Sequence, residues 1–232
     1  MTTSSGQDIE LVIFDCDGVL IDSEIITCRI EAEELNRLGY TITADEVIRR
    51  FTGLADEKMR AIIEADWQRP LPHDFSANVK SRVADSYRDG LKAIEGISEA
   101  LAQIALPMCV ASSSAPPKLR LGLEQTNLYE FFAPNIFSTT MVARSKPAPD
   151  LFLFAAEKMN IAADRCLVVE DSTAGVQAAC AAGMRVLGFC GGSHCLPDHA
   201  ALLLANGAQQ IFSEMSRLPK LLGNFRQAAT QS

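Results

Sequence analysis

The stretch Leu11-Val12-Ile13-Phe14-Asp15-Cys16-Asp17-Gly18-Val19-Leu20 decides the fold. Its first four residues, apolar and partly β-branched or aromatic, read as a strand buried on both faces, and such strands belong inside parallel sheets. Two aspartates stand where the run stops. In open α/β sheets ligands gather outside the carboxyl ends of the strands, so Asp15 and Asp17 lie where chemistry is usually done. Side chains alternate along extended chain, which sends Asp15 and Asp17 one way and Cys16 the other. Two carboxylates in one small volume repel unless one stays protonated or a cation joins them, and oxygen ligands of this kind suit a hard ion such as Mg2+. Gly18 lets the backbone turn sharply and come close to a ligand. On this stretch alone, an acidic turn capping the next helix is an equally good reading.

Downstream, Ile21-Asp22-Ser23-Glu24 leads into a helix over Ile25 to Leu38, with Ser23 as its cap, Glu24 in its first turn and Gly39 as its stop. From there to Gly90 no strand-like run occurs. Ala44 to Arg50, Asp56 to Asp66 and Asp74 to Arg88 carry helical spacing, interrupted at Gly53, Pro70 and Pro72. A chain that makes one strand and then leaves for a helical insert is expected to place a cap domain, residues 23–90, over that strand's carboxyl end. The cap would exclude water and contact substrate. An all-helical layer on one sheet face is the alternative.

Beyond Gly90, strand and helix alternate. Strands are predicted at Met108 to Ala111, Ile136 to Ser138, Cys166 to Val169, Arg185 to Phe189 and Gln210 to Phe212. The intervening helices are Ile97 to Ala105, Pro117 to Gln125, a segment opened by Ser145-Lys146-Pro147-Ala148-Pro149-Asp150 and ending near Met159, and Thr173 to Ala182. This alternation predicts an α/β fold, a doubly wound, Rossmann-like parallel sheet, with core residues 1–22 and 91–232. The tail from Arg226 to Ser232 is expected to fray.

Composition narrows the function classes. With 29 acidic against 21 basic residues and a net charge of -8, the chain lacks the basic cluster that a nucleic acid or anionic membrane partner needs. No apolar run of about 18 residues suggests a membrane span, and residues 1–8 lack the basic and apolar regions of a signal peptide. Seven cysteines without a close C-x-x-C pair, several inside apolar strands, fit reduced thiols in the cytoplasm. An acidic protein that binds an anion must use a local cation.

The strand ends supply one. Asp15 and Asp17, Ser112, Lys146, then Glu170 and Asp171 each follow a predicted strand or open the next helix. The carboxylates make a site for one divalent cation. Ser112 offers a hydroxyl, Ser113 a free N–H at a strand-to-helix turn, and Lys146 a positive charge. Singly, Ser112 reads as a cap, Lys146 as a solvated charge and Glu170-Asp171-Ser172 as helix capping. Their joint occurrence in this order describes phosphoryl transfer, which needs charge stabilisation and in-line positioning.

DCDGV (Asp15 to Val19), Ser112 after an apolar strand, Lys146 in SKPAPD and VVEDS (Val168 to Ser172) resemble the four motifs of the haloacid dehalogenase-like hydrolase superfamily. The DSE at Asp22 to Glu24, the helical insert and the K-P-x-P-D form are similar to its β-phosphoglucomutase-like and sugar-phosphate phosphatase subgroup, 6-phosphogluconate phosphatases among them. The resemblance implies a Mg2+-dependent phosphatase acting on a small phosphorylated sugar or sugar acid through an aspartyl-phosphate. It implies Asp15 as nucleophile, Asp17 as general acid and base, and Ser112, Ser113 and Lys146 as phosphate contacts. The metal would take Asp15, the backbone carbonyl of Asp17, Asp171 and Glu170. For acid–base work the carboxyl of Asp17 is expected to be raised by its carboxylate neighbours. A sugar phosphomutase is the alternative, weakened because family mutases carry a histidine and an arginine where this chain has Thr27 and Asp56. A non-catalytic phospho-acceptor or binding module is another, although the chain order of its acidic residues differs from that of receiver domains. Specificity is expected from the cap around Arg49, Arg50, Phe51, Thr52 and Gly53, with a monomer or weak homo-oligomer as the assembly.

Overall fold

The computed structural model describes residues 8–52, 54 and 56–227. The expected helix break at Gly53, most of the leader reading and the end of the expected tail lie outside them. Strand β1 (Leu11–Phe14) is followed by α1 (Glu24–Leu38), α2 (Ala44–Phe51), α3 (Asp56–Trp67) and α4 (Phe75–Gly90). The chain continues as α5 (Ile97–Ala102), β2 (Met108–Ser112), α6 (Pro116–Gln125), α7 (Tyr129–Phe132), β3 (Ile136–Ser138), α8 (Asp150–Met159) and β4 (Cys166–Glu170). It ends with α9 (Thr173–Ala181), β5 (Arg185–Phe189), α10 (His199–Ala205), β6 (Gln210–Phe212) and α11 (Leu218–Gln227).

The six strands form one parallel sheet in the order β3-β2-β1-β4-β5-β6. The chain leaves β1 for one side and later returns to its other side at β4, so β1 marks the switch point where doubly wound sheets bind ligands. Phe14 pairs with Val110 of β2 and with Val169 of β4. That register brings Asp15, Ser112 and Glu170 to one rim.

The uninterrupted apolar run of β1 has a structural reason. Val12 and Phe14 sit in a cluster with Val110, Leu167, Val169 and Phe132, while Leu11 and Ile13 join Cys109, Val168 and Phe152 on the opposite face. All four β1 residues are fully buried. A third cluster, including Leu35, Val47, Ile63, Phe75 and Tyr87, lies within α1 to α4, so the insert carries its own core. There Thr43 and Glu46 form a capping box at the start of α2, and Arg82 of α4 reaches Glu34 of α1 at 3.3 Å. Every cysteine is a free thiol.

Three local expectations change. The helix expected to Ala105 stops at Ala102, consistent with Pro107 disfavouring helical backbone at Leu106. Helix α8 begins at Asp150, leaving Lys146 in the preceding loop. Ser23 occupies the cap position of α1 but makes no capping bond, because its hydroxyl is donated to Asp17 at 2.7 Å.

Phe14 meets Phe132 edge to face at 5.7 Å between ring centroids. Phe14→Ala should cost about 3–5 kcal/mol of unfolding free energy, read from the denaturant midpoint, because a buried aromatic leaves a cavity.

Candidate active site

The loop before α8 places Lys146 deep under the sheet rim. Its Nζ donates to Asp15 Oδ1 at 2.6 Å and to Glu170 Oε2 at 2.7 Å, and it lies 4.8 Å from the centre of the Phe152 ring. The Lys146 side chain is 4% exposed and those of its partners 9% and 1%, so this bridge is shielded from water. Burial disfavours the lysine cation, yet Asp15 and Glu170 hold its pKa above the ordinary range. Burial pushes Asp15 well up; Lys146 opposes this, and the charges of Glu170, Asp171 and Asp17 add to it. Burial likewise raises Glu170, against the pull of Lys146.

Glu170 is fixed from its other side. Its Oε1 accepts the Ser172 N–H at 3.1 Å and the Ser172 hydroxyl at 2.7 Å, while Ser172 Oγ caps α9 by accepting Gly175 N–H at 3.0 Å. A β-carbon on Gly175 would lie 2.0 Å from the Glu170 carboxyl carbon, which explains this glycine in the small-faced helix. Gly18, at φ +81°, plays the same part for Asp171: a β-carbon there would lie 1.9 Å from its Oδ2.

Asp15, Glu170 and Asp171 each present a carboxylate oxygen, all within 4.8 Å of one another. Three buried carboxylates against the Lys146 ammonium and the His194 imidazole beside Asp171 form an all-oxygen donor set with surplus negative charge, which fits a hard divalent cation such as Mg2+. The carboxylate of Asp17 is engaged elsewhere: Ser23 and Ser114 hydroxyls donate to it at 2.7 and 2.6 Å, and Lys118 Nζ lies at 2.9 Å. Any part of Asp17 in cation binding therefore rests on its main-chain carbonyl. The expectation of a raised Asp17 carboxyl is corrected. Burial acts upward, but Lys118 and the two hydroxyls outweigh it and hold the group at about 2.

Ser112 is 1% exposed; its hydroxyl accepts the Ser114 N–H at 3.1 Å and shapes the turn into α6, while Ser113 is exposed. A cavity of about 410 Å³ is lined by every predicted residue: Asp15, Asp17, Ser112, Ser113, Lys146, Glu170 and Asp171. Glu24, Thr27, Cys28 and Glu31, at i, i+3, i+4 and i+7 of α1, line its other side. Burial raises Glu24 to about 7 and Glu31 to about 8. Of the residues expected to set specificity, Phe51 and Thr52 line this cavity, whereas Arg50 bonds to Asp66 and Tyr40.

Sequence reasoning missed Ser23, Ser114, Lys118 and the loop histidines. Lys118 carried a signal, because a cation in the first turn of a helix opposes the macrodipole and calls for another reason to be there. His194 Nε2 lies 3.0 Å from Asp171 Oδ2, and His199 Nε2 lies 2.6 Å from the Asp171 carbonyl oxygen. Burial would lower His194, but Asp171 and Cys195 raise it to about 11.

A switch-point site of acids, one buried lysine and a hydroxyl-lined turn on a doubly wound sheet defines a class of phosphoryl-transfer enzyme. The sequence pattern of the haloacid dehalogenase-like hydrolases matches residues 12–189, and the chain belongs to that family. It is 34% identical over 214 residues to the 6-phosphogluconate phosphatase of Escherichia coli (strain K12), covering 92% of this chain and 94% of that protein. The crystal structure of a haloacid dehalogenase-like protein from Agrobacterium tumefaciens superposes with a TM-score of 0.88 at 37% identity, over 93% of this chain and 98% of the other. A Deinococcus radiodurans family hydrolase, solved with bound phosphate and sodium, gives a TM-score of 0.80 at 31% identity, over 96% and 97%. By class the chain is a phosphoric monoester hydrolase. Among the described residues no helix is long and apolar enough to cross a membrane.

Gly175→Ala should displace the Glu170 carboxylate and weaken Mg2+ binding by roughly 10- to 100-fold, the range for disturbing the surroundings of a metal ligand. Isothermal titration with MgCl2 would measure it; unchanged affinity would show that Glu170 has no part in holding the ion.

Proposed function

We propose that this chain hydrolyses the phosphate ester of a small sugar or polyol through an aspartyl-phosphate on Asp15, with Mg2+ as cofactor. The observation that carries this reading is the Lys146 bridge between Asp15 and Glu170 beside Asp171, at the carboxyl end of β1. Asp15, Glu170 and Asp171 are the residues to hold the ion, which supplies positive charge that keeps the carboxylates ionised and offsets charge on the phosphoryl oxygens.

An Asp15 oxygen attacks phosphorus as the bond to the substrate oxygen breaks, and the electron pair leaves with that oxygen. Lys146 and the Ser113 N–H receive phosphoryl oxygens, with Ser112 shaping the turn that presents the N–H. Asp17 gives its proton to the leaving oxygen; it then takes one from the water that attacks the aspartyl-phosphate, releasing inorganic phosphate. In the free site Lys118 keeps Asp17 ionised. A phosphate dianion arriving beside it adds negative charge and competes for Lys118, and both effects raise the carboxyl toward a proton-donating state. Helices α1 to α4 act as the cap, and water is the acceptor because Thr27 replaces the mutase histidine and Asp56 is occupied by Lys80 at 2.8 Å.

The leaving group faces carboxylates. Glu24 and Glu31 have no ion-pair partner among the described residues, and the nearby lysines are committed: Lys118 to Asp17, Lys146 to Asp15 and Glu170, Lys80 to Asp56. Above about pH 8, where both are ionised, these carboxylates accept hydrogen bonds from hydroxyls and repel a second anion. In that range a neutral polyol or aldose phosphate suits this cleft better than a sugar-acid phosphate.

Asp15→Asn should lower hydrolysis of p-nitrophenyl phosphate with MgCl2 by roughly four orders of magnitude, as loss of a nucleophile does. Equal turnover by both proteins would remove Asp15 from that role. In a substrate panel at about pH 9, kcat/KM for hexitol and aldose 6-phosphates should exceed that for 6-phosphogluconate, and Glu31→Gln should narrow the gap. A wild-type preference for the sugar acid would refute the neutral-substrate assignment while leaving the hydrolase reading intact.

A further inference from the structure

The loop between β5 and α10 brings His194, Cys195 and His199 together behind the acidic trio. One ligand atom from each lies within 4.8 Å of the other two. Cys195 Sγ is 3.7 Å from His194 Nε2, and the two imidazoles stand edge to face with centroids 5.5 Å apart. The His194 ring is 1% exposed, and its Nδ1 is a buried nitrogen with no hydrogen-bond partner among the described residues. The loop is moulded to this ring, since a β-carbon on Gly192 would lie 2.8 Å from Nδ1. Nothing in the phosphoryl-transfer steps uses the thiol or His199.

Two imidazoles and a thiolate make a donor set unlike the neighbouring one. Nitrogen and sulfur ligands bind zinc(II) and other borderline or soft cations, whereas the carboxylates a few ångströms away suit Mg2+. The outer contacts also have the form found around bound metals, where a ligating imidazole gives its second ring N–H to a carbonyl or carboxylate. His199 Nε2 meets the Asp171 carbonyl at 2.6 Å in this form, whereas His194 faces Cys195 and the Asp171 carboxylate, at 3.0 Å, with one nitrogen, Nε2, so its bond to Asp171 competes with ligation.

We propose that His194, Cys195 and His199 form a second cation site, for one zinc(II)-type ion, and that this site is coupled to the carboxylate trio through His194 and Asp171. With the loop site empty, His194 Nε2 bonds the Asp171 carboxylate. With it filled, that nitrogen turns to the new ion and Asp171 Oδ2 is released. The freed oxygen strengthens the hold of Asp15, Glu170 and Asp171 on their own cation. The site itself rests only on the loop geometry; the coupling rests also on the hydrolase reading above.

Cobalt(II) is the spectroscopic probe. The full-length protein, held in excess MgCl2 to occupy the carboxylates, should bind one equivalent of Co2+ with a thiolate-to-cobalt charge-transfer band and the intense visible absorption of a tetrahedral ion, both bleached by Zn2+. Cys195→Ser should lose the charge-transfer band and bind Zn2+ more weakly by roughly 100-fold or more, since a direct ligand matters at least as much as an outer one. His199→Gln should weaken the site similarly, and Cys180→Ser, which removes an exposed thiol elsewhere, should change nothing. Absence of the band in wild type, or its survival in Cys195→Ser, would overturn the site. In p-nitrophenyl phosphate turnover, one equivalent of Zn2+ should lower the MgCl2 half-saturation several-fold in wild type and not in Cys195→Ser. The same shift in both proteins would overturn the coupling. If wild type showed no phosphatase activity with any metal, the hydrolase reading would fall while the cobalt spectrum still decided the site.

Discussion

A single ammonium group between two buried carboxylates governs the molecule. Lys146 touches Asp15 and Glu170 at once, joining residues 131 and 24 positions away from it in sequence. Removing all three groups from water is costly, and loss of one partner of such a bridge leaves an unpaired buried charge worth about 3–5 kcal/mol of destabilisation. The bridge therefore demands accurate placement from its surroundings. The matched register of β1 with β4, Ser172 pinning the far oxygen of Glu170, and the missing side chain at Gly175 each supply part of it. A lysine in that position neutralises one carboxylate at most, so the trio keeps the surplus charge that suits a hard cation and an anionic ester.

The two aspartates after β1 show how neighbouring positions with the same side chain diverge. Asp15 is pushed up by burial among other acids, whereas Lys118, Ser23 and Ser114 hold Asp17 down. Environments that pull titratable groups apart are what acid–base assignments rest on. The difference comes from elements far from the motif: Ser23 from the turn into α1 and Lys118 from the first turn of α6. Those elements also shape the cleft, so on the proposed reading the proton chemistry and the leaving-group pocket share one wall.

The sheet was legible because burial on both faces leaves a compositional mark. Leu11 to Phe14 and Cys166 to Val169 are continuous apolar runs, and each ends in acids at the rim where a doubly wound fold binds ligands. What could not be read was anything set by side-chain direction. Ser23 has the residue type and position of a helix cap, and only the turn after Gly18 aims its hydroxyl at Asp17 instead. Arg50 sits in the segment expected to meet substrate, but its helix face carries it to Asp66. Lys118 broke a local electrostatic rule, and that violation was the one available clue to its task. His194 and His199 had no periodic pattern at all; they stand in a loop and gain meaning only from folding onto Asp171.

The relatives share the scaffold that makes the rim, yet substrate choice belongs to the side that approaches it. On the proposed reading, phosphate contacts arise from β1, β2, β4 and the Lys146 loop, elements that line one side of the cavity and are insensitive to what the phosphate is attached to. The leaving group on that reading meets one face of α1, where Glu24 and Glu31 sit two helical turns apart without an ion-pair partner among the described residues. A fold can be carried over from a relative with confidence that a pocket cannot, because a few side chains on a helix change without disturbing the core beneath. In this chain those side chains are acids held partly protonated near neutrality by burial, able to donate as well as accept. Such a surface matches the alternating donors and acceptors of a hydroxylated carbon chain, and once ionised at higher pH it repels a substrate that brings a second negative group into the cleft.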